Sequence, residues 1–287
     1  MNNRRKSKLV LRIVLLGLTV VVLTAVLVFG IAGRRWLRLG GYYSGSQYYQ
    51  AGGSAVAASG LSTLEIHWES GEVRLVPTDG ENVVFREPEG LPEDQQLRYR
   101  LEDGRLIIRY GPSGLSLSAT AEKTLTVEIP RQLALSQLEL DLVSAHVQAQ
   151  DLTVPQCEVD TVSGDVNFTG CRFTEVEVDT VSGDFCLTGQ VDSLEMDSTS
   201  GDLALTLAAV PRQIDGDSVS GNFTLTLPPS AAFSVETDSL SGGFSCQFPT
   251  EIQDGRYICG QGGGVFQFDS VSGSVYLISS GNAPENQ

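Results

Sequence analysis

Histidine is almost missing from this 287-residue chain: only His67 and His146 occur. G-x-S-x-G and H-E-x-x-H are absent, and GQGGGVFQF (260–268) lacks the following helix that a phosphate loop requires. Serine-triad hydrolysis, zincin chemistry and nucleotide binding are thereby excluded. The two histidines read as strand-surface residues, and neither an enzyme nor a cofactor is expected. Five cysteines (Cys157, Cys171, Cys186, Cys246 and Cys259) contain no C-x-x-C pair, which argues against zinc and thioredoxin-like chemistry. The odd number leaves at least one free or bonded to another chain, and most read as small buried hydrophobes. Basic residues are scarce toward the C-terminus. Residues 141–287 hold only Arg172, Arg212 and Arg256, too few to hold an anionic polysaccharide. Helical periodicity is missing over the same range.

Charge is split along the chain. The first 40 residues carry eight Lys/Arg and no Asp/Glu, whereas the remainder carries eleven basic and 35 acidic residues. The two parts are therefore formally +8 and −24. A domain that acidic repels phosphates, so nucleic acid is excluded as a partner, while metal ions and basic peptides are compatible. The basic part contains Ile13 to Gly33, 21 residues without a charge, long enough at about 1.5 Å per residue to span a bilayer core of roughly 30 Å. Five basic residues precede it and three follow. This bias puts the 1–12 tail in the cytoplasm and the acidic domain outside the membrane, as a single-pass protein. An uncleaved signal anchor is expected over a cleaved signal peptide, whose nearest A-x-A site is Ala55–Ala57. Residues 34–60, rich in Gly, Ser, Ala and Tyr, read as a linker.

The dominant feature is a repeat. DTVSGD occurs at 160–165 and again at 179–184, then as DSTSGD (197–202), DSVSGN (217–222), DSLSGG (238–243) and DSVSGS (269–274). A degenerate DLVSAH begins at Asp141, and HWESGE (67–72) shares the frame. Separations of 19, 19, 18, 20, 21 and 31 residues mark stacked structural units. Apolar residues alternate with period two on both sides of each Ser-Gly, and the alternation slips once there. Each repeat therefore predicts strand, corner, strand and return turn, with glycine supplying the dihedrals of the corner. The corners are Ser163-Gly164, Ser182-Gly183, Ser200-Gly201, Ser220-Gly221, Ser241-Gly242 and Ser272-Gly273. Equivalent strands of successive repeats stack in parallel about 4.8 Å apart. The fold class predicted is all-β: a β-solenoid resembling a single-stranded parallel β-helix, after one N-terminal transmembrane helix. The β-repeat domain spans 61–280, with an irregular cap and first rungs over 61–135 and regular repeats over 136–280. LRYRLEDGRLIIRY (97–110) reads as a hairpin turning at Asp103-Gly104. Residues 281–287 read as a flexible tail.

The anchor, the strand ending VEIP (127–130), the tandem T-V-S-G-D corners and the terminal SVSGSVYL resemble the bacterial "putative adhesin" domain-of-unknown-function family, which includes membrane-anchored proteins of Lia-type envelope-stress systems. The resemblance covers roughly residues 60–280. It implies a β-strand-repeat domain at the cell envelope and no catalytic residues to carry over. In-register stacking also places carboxylates in ladders, where neighbours repel by roughly 3 kcal/mol at an effective dielectric near 20. Asp165, Asp184 and Asp202 are therefore either corner caps or weak calcium ligands. The expected role is an interaction or sensing module meeting an envelope protein, cationic peptide or surface polymer. The alternative is a structural surface protein or adhesin.

Overall fold

The structure, a computed structural model, describes residues 48–111 and 123–282. The segment assigned to the membrane, 13–33, lies outside them. No helix among the described residues is long and apolar enough to cross a membrane.

Twenty β-strands and two 3₁₀ turns make up the described chain. The period-two patterning becomes two flanks of a flattened coil. Leading flanks such as Thr153–Thr161 pair in parallel with the same flanks of neighbouring rungs. The strands Val166–Thr180 and Phe185–Ser198 each contain a trailing flank, a return bend and the next leading flank. The pair aligns Val166 with Phe185 and Asp179 with Asp197, shifting register only at the bend near Gly170. Between the flanks lies a continuous apolar core. Cys157, Val159, Val176, Val178, Leu194 and Met196 meet Phe168, Phe185, Leu187, Leu203 and Leu205, all at most 3% exposed. Each such side chain contributes about 1.5–3 kcal/mol by leaving water. Gly216 occupies an inward position because the Phe223 and Phe268 rings, 4.9 Å apart, already fill the space beside it.

Stacking departs from chain order at the far end. The sequence reading has each repeat follow its predecessor, but Gly264–Ser270 lies between Gln213–Ser218 and Phe233–Ser239, parallel to both. The Val275–Ser279 strand likewise sits between Phe223–Leu227 and Phe244–Cys246. The 31-residue separation has a physical cause. A hairpin of Thr250–Gln253 and Arg256–Cys259 turns back against Phe233–Val235, and the chain then re-enters one rung earlier. The glycine run that starts at Gly260 is the turn into that inserted strand.

At the other end, Thr63–Thr78 forms the first rung, parallel to Gln137–Gln150. The hairpin of Arg98–Glu102 and Arg105–Arg109 extends its leading flank, turning through Asp103 and Gly104, both at positive φ. The segment expected to be linker up to residue 60 already contains two strands, Gln50–Ala51 and Ser54–Ala57. Gln50–Ala51 pairs with Arg98–Tyr99, and Ser54–Ala57 pairs with Asn82–Phe85. Small residues suit such short edge strands, whose backbone hydrogen bonds hold what their side chains cannot. Ser280–Asn282 forms a 3₁₀ turn, and the rest of the segment read as a tail, 283–287, lies outside the described residues.

Candidate functional site

Each corner hexapeptide distributes five jobs among its residues. The Thr or Ser after the leading Asp points inward. Thr180 Oγ1 accepts from the Gly183 N–H at 2.8 Å and donates to the Gly183 carbonyl at 3.1 Å, and Thr161 does the same for Gly164. The corner serine reaches sideways: Ser182 Oγ donates to the Val162 carbonyl of the preceding rung, as Ser200 does to Val181. The corner glycines are needed for close approach rather than for unusual dihedrals. None of the six appears among the positive-φ residues, but a Cβ on any of them would lie 1.7–2.2 Å from a carbonyl oxygen of the adjacent rung.

The trailing position forms a hydrogen-bonded column. Asp165 N–H donates to His146 Nδ1, Asp184 N–H to Asp165 Oδ1, Asp202 N–H to Asp184 Oδ1, and Asn222 N–H to Asp202 Oδ1. Ser274 and Gly243 continue it, with Ser274 N–H donating to Asn222 Oδ1. Asp165, Asp184 and Asp202 thus each accept from the next rung. No group of three or more His, Cys, Asp or Glu side chains suited to a metal ion occurs among the described residues. Because Asn222 does the same work without charge, Asp184→Asn should leave the melting temperature unchanged. Asp184→Ala should cost about 0.5–1.5 kcal/mol, the value of one such bond, in chemical denaturation. A loss several times larger in the Asn variant would assign the carboxylates to a cation instead.

The leading positions form a different surface. Asp141, Asp160, Asp179, Asp197, Asp217, Asp269 and Asp238 are aligned across seven rungs. Two residues earlier runs a second column of Glu139, Glu158, Glu177, Glu195, Asp215, Gln267 and Glu236. Cations are found at its two ends. At one, Arg105 bridges Glu65 (2.5 Å) and Glu139 (3.0 Å), and His67 stands between Glu65 and Asp141, its Nδ1 2.5 Å from the Asp141 carboxylate. At the other, Arg256 pairs with Glu236 at 3.0 Å. Partial burial and the adjacent carboxylates push the Asp160 and Asp217 carboxyls up to about 7 and that of Asp197 to about 6. Asp179, Asp215, Asp269 and Glu177 rise for the same reasons. Burial also tends to raise Glu65, but His67 and Arg105 hold it down near 2.

Residues 61–258 match the family described as Toastrack DUF4097. The chain belongs to this family. It is the "putative adhesin" group of unknown function that the corner motifs resemble. No curated protein matches the chain. Among solved structures it is similar to a putative cell adhesion protein of Clostridium sporogenes, at 11% identity and a TM-score of 0.38, covering 81% of this chain and 100% of that one. It is also similar to a putative adhesin of Bacteroides fragilis, at 11% identity and a TM-score of 0.44, covering 80% and 97%. A third likeness is to a putative lipid binding protein of Parabacteroides distasonis, at 14% identity and a TM-score of 0.41, covering 79% and 94%.

In this Toastrack chain the sequence reading missed one constellation at the first rung. Lys123 is 3% exposed, and its Nζ donates to Glu87 Oε2 (2.9 Å) and to the carbonyls of Gln95 and Gly111 (both 2.8 Å). The rings of Tyr110 and Trp68 lie 4.2 and 5.2 Å from it. The one available signal was composition: Lys123 is the only lysine beyond Lys8. The cysteines divide as Cys157, Cys171 and Cys259 buried and Cys186 and Cys246 half-buried, all five as free thiols.

Proposed function

We propose that this Toastrack protein is a non-enzymatic module of the bacterial cell envelope, anchored by residues 13–33, whose acidic leading face docks a cationic peptide or a basic segment of an envelope protein. The observation supporting this reading is the carboxylate face itself. Between Arg105 at one end and Arg256 at the other, the Glu158, Glu177 and Glu195 side chains are exposed, with acidic neighbours above, below and beside them. A flat rigid array at about 4.8 Å spacing gathers a polycation by long-range attraction and releases ions on binding. Rigidity matters here, because the charges are held apart by a backbone that need not reorganise.

The test titrates the full chain in detergent with an oligolysine peptide at low and at physiological salt. Binding should weaken as salt rises, and a Glu158→Gln, Glu177→Gln, Glu195→Gln triple variant should lose at least about tenfold in affinity. Equal affinity in the variant, or no binding at low salt, would remove the docking reading. Protease added outside intact cells should remove the domain and spare residues 1–12; protection of the domain would overturn the orientation.

A further inference from the structure

We propose that Lys123 and Glu87 condense into an intramolecular amide, a covalent clamp closing the first rung, with Glu69 as the proton-relaying acid. The bland alternative is a buried ion pair, and the arrangement exceeds what an ion pair needs. Both side chains are only 4% exposed, so neither charge keeps water for a solvation shell. As the first step of the reaction, a proton passing from Lys123 Nζ to Glu87 Oε2 across 2.9 Å would cancel both charges and free the amine. Burial favours that change on the lysine side, lowering the Lys123 ammonium from its ordinary range. A deprotonated amine in a dry pocket, against the rings of Tyr110 and Trp68, is an activated nucleophile.

The two oxygens of Glu87 have different surroundings. Oε2 faces the amine, whereas Oε1 accepts the Leu97 N–H at 2.5 Å. Attack of the Nζ lone pair on Cδ forms the C–N bond and moves charge onto Oε1, where that backbone donor meets it. Oε2 already carries the first proton from nitrogen. Glu69 gives its proton to Oε2 and recovers one from the nitrogen, and water departs. The balance is one ammonium and one carboxylate giving one amide and one water, with no oxidant or co-reactant. Glu69 suits the relay. It precedes by two residues Gly71, the strand partner of Lys123, and its Oε1 is buried with no hydrogen-bond partner among the described residues. Burial raises its carboxyl to about 7, so near neutral pH it can both give and take a proton. Reactants fixed by the fold gain the advantage of an intramolecular reaction. In the product the remaining amide N–H keeps one of the two backbone carbonyls, and Oε1 keeps Leu97.

The experiment is mass spectrometry of the full chain purified from its membrane, intact and after digestion. Wild type should weigh less than its sequence by one water and yield a branched peptide joining the segments that contain Glu87 and Lys123. Lys123→Arg keeps a cation but lacks the amine, and should show the full sequence mass. Because that variant disturbs the core, Glu69→Gln supplies the second arm: it should melt cooperatively yet lose at least about nine-tenths of the branched peptide. Wild type at its full sequence mass with no branched peptide would overturn the clamp and leave an ion pair. Undiminished branching in folded Glu69→Gln would overturn the relay.

Discussion

Gly183→Val is expected to unfold the coil or to lower its stability by more than about 3 kcal/mol, at the severe end of single substitutions. The added Cβ would lie 2.2 Å from the Gly164 carbonyl oxygen and 3.1 Å from Thr161 Cγ2. Nothing nearby can yield cheaply. The obstructing atom is backbone, and the rungs are tied on both sides of it, Ser182 N–H to the Val162 carbonyl at 3.0 Å and Val166 N–H to the Asp184 carbonyl at 2.8 Å. Opening the gap therefore breaks ladder bonds in two rungs at once. Even Gly183→Ala should be strongly destabilising, since the clash begins at Cβ. The contrast is Gly255, at φ +85° with nothing within 4 Å of its Cβ position. Alanine there meets only backbone strain, about 1 kcal/mol. Urea unfolding of the three variants separates the explanations. If Gly183→Ala behaved like Gly255→Ala, close approach between rungs would not be what the corner protects.

The corner was legible in the sequence because its chemistry repeats in phase: a slip in the apolar alternation, always at Ser-Gly, leaves little but a bend. The reason for glycine was not legible, since a dihedral requirement and a steric one both leave glycine. Rung order was hidden for a related reason. Every rung from Asp160 onward presents the same hydroxyl, serine and glycine to its neighbours, so Asp217–Asn222 accepts Asp269–Ser274 as readily as Asp238–Gly243. What decides is the hairpin at 250–259, whose alternation is too short to announce itself. The Lys123 cluster was hidden more deeply. Its members at 68–69, 87, 95, 110–111 and 123 share no spacing, and only the parallel pairing of Gly71 with Lys123 gathers them.

Acidification from pH 8 to about pH 5.5 should stabilise the domain, raising its melting temperature by about 5 °C or more at fixed ionic strength. The sign follows from linkage. Asp160 and Asp217 titrate near 7 and Asp197 near 6 when folded, whereas the unfolded aspartates titrate near 3.9. At pH 8 all are charged in both states, and the folded state alone bears the burial and crowding. As pH falls through 7 and 6 the folded face takes up protons that the unfolded chain does not yet bind, so stability rises. His67 acts in the same direction. Burial lowers its pKa, but Asp141 and Glu65 outweigh that and raise it, so its contribution is present below about 6.5 and lost as pH rises through the folded value. Glu65, held near 2, opposes at the acid end: its contribution fades as pH drops from about 4.5 toward 2. The optimum should therefore lie between about pH 4.5 and 6. Asp160→Asn, Asp197→Asn and Asp217→Asn together should flatten the alkaline limb and make the protein more stable than wild type at pH 8. Added salt at pH 8 should recover part of the same gain by screening the columns. A melting temperature that falls or stays level between pH 8 and 5.5 would mean that water hydrates these carboxylates well enough to keep them apart. The same protonation would discharge the face that docks the polycation, so the conditions that tighten the coil are those that weaken its grip.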